Sequence, residues 1–276
     1  MKKYITSVAF FLLFVFIWQI AVNFLKIEKW ILPSPLQILN SLLESKELFV
    51  YHLLPTLFEA FLGLFISVIL AIIVALAMKL SRLFYNIIYP FLILSQTIPF
   101  IVIAPLLSVW FGFGLIPKVI LIAIVCFFPI TLNLFAGFEA IDHSFISLLD
   151  SMGANKIKKI KFLYWPSSLP YFFSGLKIAA SYSIISAVVS EWVGTDRGLG
   201  ILLIRSSKSY VTDRVFATIL VITFLSILLV LLVETLQYIS IPWSQNNKIL
   251  KRSKYVKKNN ISYPDFYRNF NRSLFL

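Results

Sequence analysis

The chain has 276 residues, 59% of them hydrophobic and 13% charged, where soluble domains run at about 45–50% apolar and about 25% charged. It therefore reads as a membrane protein with almost nothing left for a water-soluble core, which excludes a globular enzyme, a nucleic-acid-binding domain and a disordered scaffold despite the net charge of +13. The single cysteine, Cys126, and the two well-separated histidines, His52 and His143, write neither a disulfide framework nor a Cys/His metal site.

A bilayer core of roughly 30 Å takes about 20 helical residues to cross, so stretches free of Asp, Glu, Lys and Arg locate the spans. Lys2 and Lys3 precede 22 such residues, 4–25. That run is longer than the roughly 7–15 residues of a secretory signal core, so a retained first span is predicted. Next, 32–43 reads as a helix with Ser34 as N-cap and Pro35 in the first turn. Leu36, Leu39, Leu42 and Leu43 share one face of it, suited to the membrane interface or to the bundle.

A second span covers 57–78. The uncharged stretch 83–117 is 35 residues long, about 52 Å as helix at about 1.5 Å per residue, and must turn. The Gly- and Pro-containing segment 110–117 provides the hairpin between spans at 85–109 and 116–136. Pro90, Pro99 and Pro105 interrupt the third span, with Ser95, Gln96 and Thr97 just before the central proline. Backbone groups freed by proline are tolerated in lipid only where neighbours or a wet cavity satisfy them. Residues 95–99, with Ser95, Gln96 and Pro99 foremost, therefore face a pathway or a helix contact; Pro129 in the fourth span is weaker evidence of the same kind.

The loop after the fourth span is patterned. Ile141, Phe145, Leu148 and Leu149 recur at helical spacing and Gly153 follows as a C-terminal glycine. A second helix begins near Asn155, carries Lys156, Lys158, Lys159 and Lys161, and stops at Pro166. Two short amphipathic helices bent at a glycine make either a docking surface for a soluble partner or an interfacial anchor.

The fifth span, 172–193, has only 13 uncharged residues between Lys177 and Glu191, too few for a crossing, so charge sits at or near membrane depth. Lys177 can snorkel. Glu191 and Trp192 open a Gly-rich segment, 191–200, suited to a turn or re-entrant backbone. Three readings stand for Glu191: a transport path or gate, an ion pair with Arg197 or Lys208, and interfacial solvation. The sixth span covers 215–241. The fold class is thus an all-α integral membrane protein of six transmembrane helices with a two-helix loop between helices 4 and 5: a membrane domain 1–243 and a basic, disordered tail 244–276. The tail suits anionic lipid headgroups better than nucleic acid. Six crossings put both termini on one side, and lysines and arginines favour that side as cytoplasmic by 16 to 8, with Lys177 left at a boundary.

The 140–166 loop resembles the hallmark of permease subunits of bacterial ATP-binding-cassette importers: Glu-Ala-Ala, three residues, Gly, nine residues, Ile, one residue, Leu-Pro. Gly153, Leu163 and Pro166 keep the spacing, while Ser147, Leu148 and Leu149 stand where the family has Glu-Ala-Ala, and Asp150 near the same face is the stand-in for the missing carboxylate. Pro-Ser-Pro at 33–35, Thr56-Leu57 with Gly63, Trp-Phe-Gly at 110–112 and Glu191 followed by Gly198-Leu199-Gly200 extend the likeness to the sulfonate, taurine, nitrate and thiamine-precursor branch.

The resemblance implies a non-enzymatic transport subunit of the prokaryotic cell membrane whose coupling loop, Ser147, Leu148, Leu149, Asp150, Met152, Gly153, Ala154, Leu163 and Pro166, docks a separate ATPase subunit. No G-x-x-x-x-G-K-[ST] motif occurs, so this chain carries no cofactor and ATP and Mg belong to that partner. Implied partners are two ATPase copies, a second, identical permease, an extracytoplasmic solute-binding protein and the bilayer, with no nucleic acid. Ser95, Gln96, Pro99, Glu191 and Trp192 are the candidate pathway or gate. Glu191 and Trp192 suit a cationic or aromatic solute such as a pyrimidine, although the acid alone does not decide the solute. The competing function is an ion-coupled carrier or channel working without an ATPase.

Overall fold

Helix dominates because a lipid-embedded backbone must satisfy its own hydrogen bonds. The computed structural model describes residues 2–242, with side chains from residue 6, as helices only. The expected tail, 244–276, lies outside the described residues. One compact unit extends to Val233, and a second begins at Glu234. The elements are α1 (Lys2–Phe24), α2 (Pro35–Glu44), α3 (Lys46–Leu80), α4 (Arg82–Ser95), α5 (Phe100–Phe111), α6 (Leu115–Glu139), α7 (His143–Ser151), α8 (Lys156–Lys159), a π-helical turn (Ile160–Tyr164), α9 (Trp165–Ser190), α10 (Leu199–Lys208) and α11 (Thr212–Ser240). Among the described residues, five stretches are long and apolar enough to cross a bilayer, and α4 with α5 makes a sixth if the bent pair is one crossing.

The core lies where α6 packs between α3 and α9. Leu121, Ile122, Ile130 and Leu134 of α6 and Ala179, Ala180 and Ile184 of α9 are fully buried. Helix association in lipid depends on close backbone approach across small residues, and Gly175 of α9 shows why. A Cβ there would stand 2.5 Å from the Pro129 carbonyl oxygen of α6. By contrast α1 exposes Phe10, Phe11, Phe14 and Phe16, as a lipid-facing helix does. Its inward side meets α11 through Trp18 and Phe216, with ring centroids 5.9 Å apart.

Helices α3 and α6 run parallel and end beside the start of α9: Lys79 Nζ lies 2.7 Å from Glu139 Oε1 and over the Tyr164 ring. The loop 140–166 is at this end. The break between α9 and α10 is at the other, beside the first turns of α6.

Three expectations change. The third span is not one straight helix: α4 and α5 are bent by 104°. The chain tightens after Ser95, with Thr97 N–H donating to Leu94 O, and is extended at Pro99 (φ −62°, ψ 113°), which has no N–H with which to continue the ladder of α4. Pro90 and Pro105 stay inside helices, so only the central proline breaks the chain. Second, the arm starting at Asn155 does not stop at Pro166. It runs on through the π turn, whose wider winding accommodates a residue without an N–H, and the helical stretch is continuous from Lys156 to Ser190. Third, the leucine face of α2 keeps only one of its two readings: Leu36, Leu39 and Leu43 are exposed and Leu42 is half-buried, which suits the membrane interface and not packing on the bundle, where Ile38 and Ser41 are the buried positions. The Ser34 cap is present as a full capping box with Gln37.

Candidate functional site

Residues singled out from sequence fall into three separate places. The first is a cleft of about 450 Å³ at the α4/α5 break, lined by Ser95, Gln96, Pro99, Phe128, Asn133 and Tyr182 among others. Gln96 and Thr97 are exposed there. Polar side chains at membrane depth mark a wet or partnered face rather than lipid. The second is a buried polar clamp around Glu191, and the third is the elbow at Gly153. Glu191 and Trp192 do not line the cleft, so the five pathway candidates are divided between two sites.

The clamp is built from one stripe of α3. His52, Thr56 and Glu59 recur at i, i+4 and i+7 and are all buried. They meet the first turn of α10, whose amides have no helical partner. Gly198 N–H donates to His52 Nδ1 at 3.0 Å, Leu199 N–H to Thr56 Oγ1 at 2.9 Å and Gly200 N–H to Glu191 Oε2 at 2.6 Å. Thr56 Oγ1 in turn donates to Glu191 Oε1 at 2.6 Å. The start of α10 is thus capped by remote side chains instead of by its own sequence. Gly198 has φ +133°, and a Cβ on it would run into the Glu191 carboxyl; here the backbone needs glycine for both reasons. Beside Glu191, Glu59 forms a buried ion pair with Lys118 of α6, Nζ to Oε1 2.6 Å. Glu191 therefore pairs with neither Arg197 nor Lys208, and interfacial solvation does not describe a side chain that is 0% exposed. Arg197 instead stacks over Tyr51, 4.6 Å from the ring centre. Trp192 is half-exposed on the turn.

His52, Glu59 and Lys118 were missed by sequence reading, and Thr56 was quoted without a role. The available signal was two opposite charges, Glu59 and Lys118, inside predicted spans.

At the elbow, α7 starts on Asp142, whose carboxylate accepts from Ser144 N–H at 2.9 Å. That bond holds the Asp142 carboxyl below the usual aspartate value. The helix ends in a Schellman turn: Ala154 N–H donates to Leu149 O and Gly153 N–H to Asp150 O, both at 2.9 Å, with Gly153 at φ +70°. Asp150 is ion-paired with Lys159, tying the two arms across the corner. Phe145, Leu148, Met152, Ile157 and Phe162 are exposed at 56%, 58%, 73%, 73% and 65%. Ser147 is also exposed, whereas Leu149, Ala154, Leu163 and Pro166 are partly buried. An apolar strip this continuous on two short helices is a contact surface in waiting.

Comparison with known proteins follows the same lines. A family model described as "Binding-protein-dependent transport system inner membrane component" matches residues 63–245. The formylaminopyrimidine transport permease protein ThiX of Halalkalibacterium halodurans is 36% identical over 85% of this chain and 94% of its own length. The taurine transport system permease protein TauC of Escherichia coli is 30% identical over 82% and 85%. A solved structure of the MetNI methionine ABC transporter in inward-facing conformations has the same fold, with TM-score 0.61 at 18% identity over 70% of this chain and 96% of that one.

Proposed function

The chain belongs to the family of binding-protein-dependent transport system inner membrane components, and from that premise we propose how it works as the permease subunit of an ATP-driven importer of a small organic solute. The observation that carries the proposal is the elbow. A glycine-cornered pair of helices with an exposed apolar strip opens a helical stretch 35 residues long, Lys156–Ser190, or about 52 Å at about 1.5 Å per residue. This stretch starts at the surface where a soluble partner docks and ends at Glu191, the centre of the clamp. A displacement of the elbow is delivered along it to the opposite end of the bundle, and the π turn between α8 and α9 is the natural hinge.

In this reading Ser147, Leu148, Leu149, Asp150, Met152, Gly153 and Ala154 meet a separate ATPase subunit, while Leu163 and Pro166 set the elbow on the span. Two ATPase copies drive two permease copies; the termini and the elbow are cytoplasmic, and an outside binding protein delivers the solute to the clamp end. Ser95, Gln96 and Pro99 line the solute's path, and Glu191 with Trp192 forms the outer gate, Glu191 acting by fastening α10 to α3. The carboxylate absent from Ser147 is replaced in effect by Asp150, whose pairing with Lys159 holds the corner's angle. ATP and Mg stay on the partner, and the chain itself makes and breaks no bonds.

The test is uptake into proteoliposomes holding permease and ATPase with binding protein outside. Gly153→Pro and Leu148→Asp are expected to abolish ATP-dependent uptake while both variants remain inserted and monodisperse. Uptake at the unmodified rate by both would refute the coupling role.

A further inference from the structure

The elbow exposes charge as well as apolar surface. Between residues 140 and 166 the sequence places four lysines against two aspartates, and both aspartates are spent inside the elbow. The Asp142 carboxylate caps α7 by accepting from Ser144 N–H, and that of Asp150 pairs with Lys159. Lys156, Lys158 and Lys161 remain exposed, and among the described residues no carboxylate forms an ion pair with them. Like charges three residues apart on a helix repel, so Lys158 and Lys161 work against the segment that carries them.

These cations border the apolar strip. Lys156 and Lys158 flank Ile157, itself exposed, and Lys161 Nζ lies over the ring of exposed Phe162, 5.5 Å from its centre. Whatever covers the strip meets three ammonium groups at its rim, and covering them without acceptors would strip their water with nothing in return.

The sign of charge and the reach of the elbow decide what that cover is. A second copy of this chain presents the same lysines and is repelled. An anionic leaflet is too far away. The helical stretch that the elbow opens, Lys156–Ser190, has 35 residues, or about 52 Å at about 1.5 Å per residue, against a hydrocarbon core of roughly 30 Å. Even tilted by about 20° and with Ser190 at the outer face, it carries Lys156 roughly 20 Å past the inner face of that core, beyond headgroups that add about 5–7 Å a side. A soluble protein surface of opposite charge is what remains.

Resting on the importer reading, we propose that the ATPase receives the elbow in an apolar groove whose rim carries carboxylates facing Lys156, Lys158 and Lys161, and that this sign of charge sets which ATPase the permease recruits. The strip supplies contact area; the lysines supply steering and discrimination, because a groove with a basic rim meets like charge.

The experiment is carbodiimide crosslinking of the permease–ATPase complex in phosphatidylcholine nanodiscs, with peptide mapping of the products. The reagent adds no spacer and joins a lysine Nζ only to a carboxyl in contact with it. Amide links from Lys156, Lys158 or Lys161 to aspartates or glutamates of the ATPase are expected. Binding of the ATPase to the same nanodiscs is titrated in parallel. Lys156→Gln, Lys158→Gln and Lys161→Gln together are expected to weaken it about tenfold, as for three exposed ion pairs. They should also flatten its salt dependence between about 50 and about 500 mM NaCl. Lys156→Arg, Lys158→Arg and Lys161→Arg together should keep affinity and salt dependence but lose the amide links, since a guanidinium does not react. All three side chains are exposed, so both sets of variants fold.

An intact complex without those amide links, or equal binding by the glutamine variant and the unmodified chain, would overturn the proposal. So would a salt dependence that appears only when the nanodiscs contain phosphatidylglycerol, which would give the lysines to lipid headgroups. The importer reading survives each of these outcomes as long as a Leu148→Cys variant still crosslinks to the ATPase; loss of every ATPase contact would sink both.

Discussion

Thr56→Val isolates the clamp. Valine nearly preserves the volume of threonine, so no cavity opens, but the contacts of the hydroxyl vanish together: the Leu199 N–H loses its 2.9 Å acceptor, Glu191 Oε1 its 2.6 Å donor and the His52 carbonyl oxygen its 3.1 Å contact. Thr56 and Leu199 are 0% exposed, so neither orphan reaches water without local opening. Leaving one buried donor unpaired costs about 1–3 kcal/mol, and the lost hydrogen bond adds about 1 kcal/mol. A shift near 3 kcal/mol makes opening of the first turn of α10 roughly a hundredfold more frequent at about 1.4 kcal/mol per decade. Hydrogen exchange of the Leu199 and Gly200 amides in nanodiscs reads this directly. Thr56→Val is expected to exchange there about a hundredfold faster than the unmodified chain, with Thr56→Ser close to it and the amides of Ile130 and Leu134 in α6 unchanged. Equal protection of Leu199 in the valine and serine variants would refute the capping argument.

Lys118→Met leaves Glu59 buried without its cation, at a cost of about 3–5 kcal/mol; the double variant with Glu59→Gln should recover most of the lost melting temperature in detergent, and equal melting of single and double variants would count against the ion pair. At the elbow, no neighbour lies within 4 Å of a Cβ on Gly153, so the obstacle is the positive φ alone. Gly153→Ala should therefore lower uptake per ATP hydrolysed with unchanged yield, while Gly153→Asn, which adopts the left-handed region more readily, should stay closer to the unmodified ratio in the same proteoliposomes.

That the chain is built of long apolar helices was legible because lipid admits few backbone solutions and charge-free length reports them. The hairpin at 110–117 appeared where two glycines and a proline required it, with Gly112 at φ +77° and Gly114 at φ +134°. The Gly153 corner was legible for the same reason. Continuity across Pro166 was not, since proline reads as a stop unless a π turn absorbs it. The side-chain partner of Glu191 was hidden because Thr56 comes from α3, 135 residues away in sequence, and pairing across that distance leaves no local pattern. The ion-pair alternative with Arg197 or Lys208 followed sequence proximity, whereas the Gly200 amide at a helix start and the Thr56 hydroxyl supply the bonds.

The proposed coupling role requires the elbow to touch the subunit that hydrolyses nucleotide. Cys126 is buried and donates to the Ala179 carbonyl oxygen, so a cysteine placed at exposed Leu148 is the reactive one among the described residues. Crosslinking of the Leu148→Cys variant in native membranes is expected to give a permease–ATPase adduct whose yield changes when ATP is added. Labelling of that cysteine by a membrane-impermeant reagent from outside intact cells, with no ATPase adduct, would contradict the account.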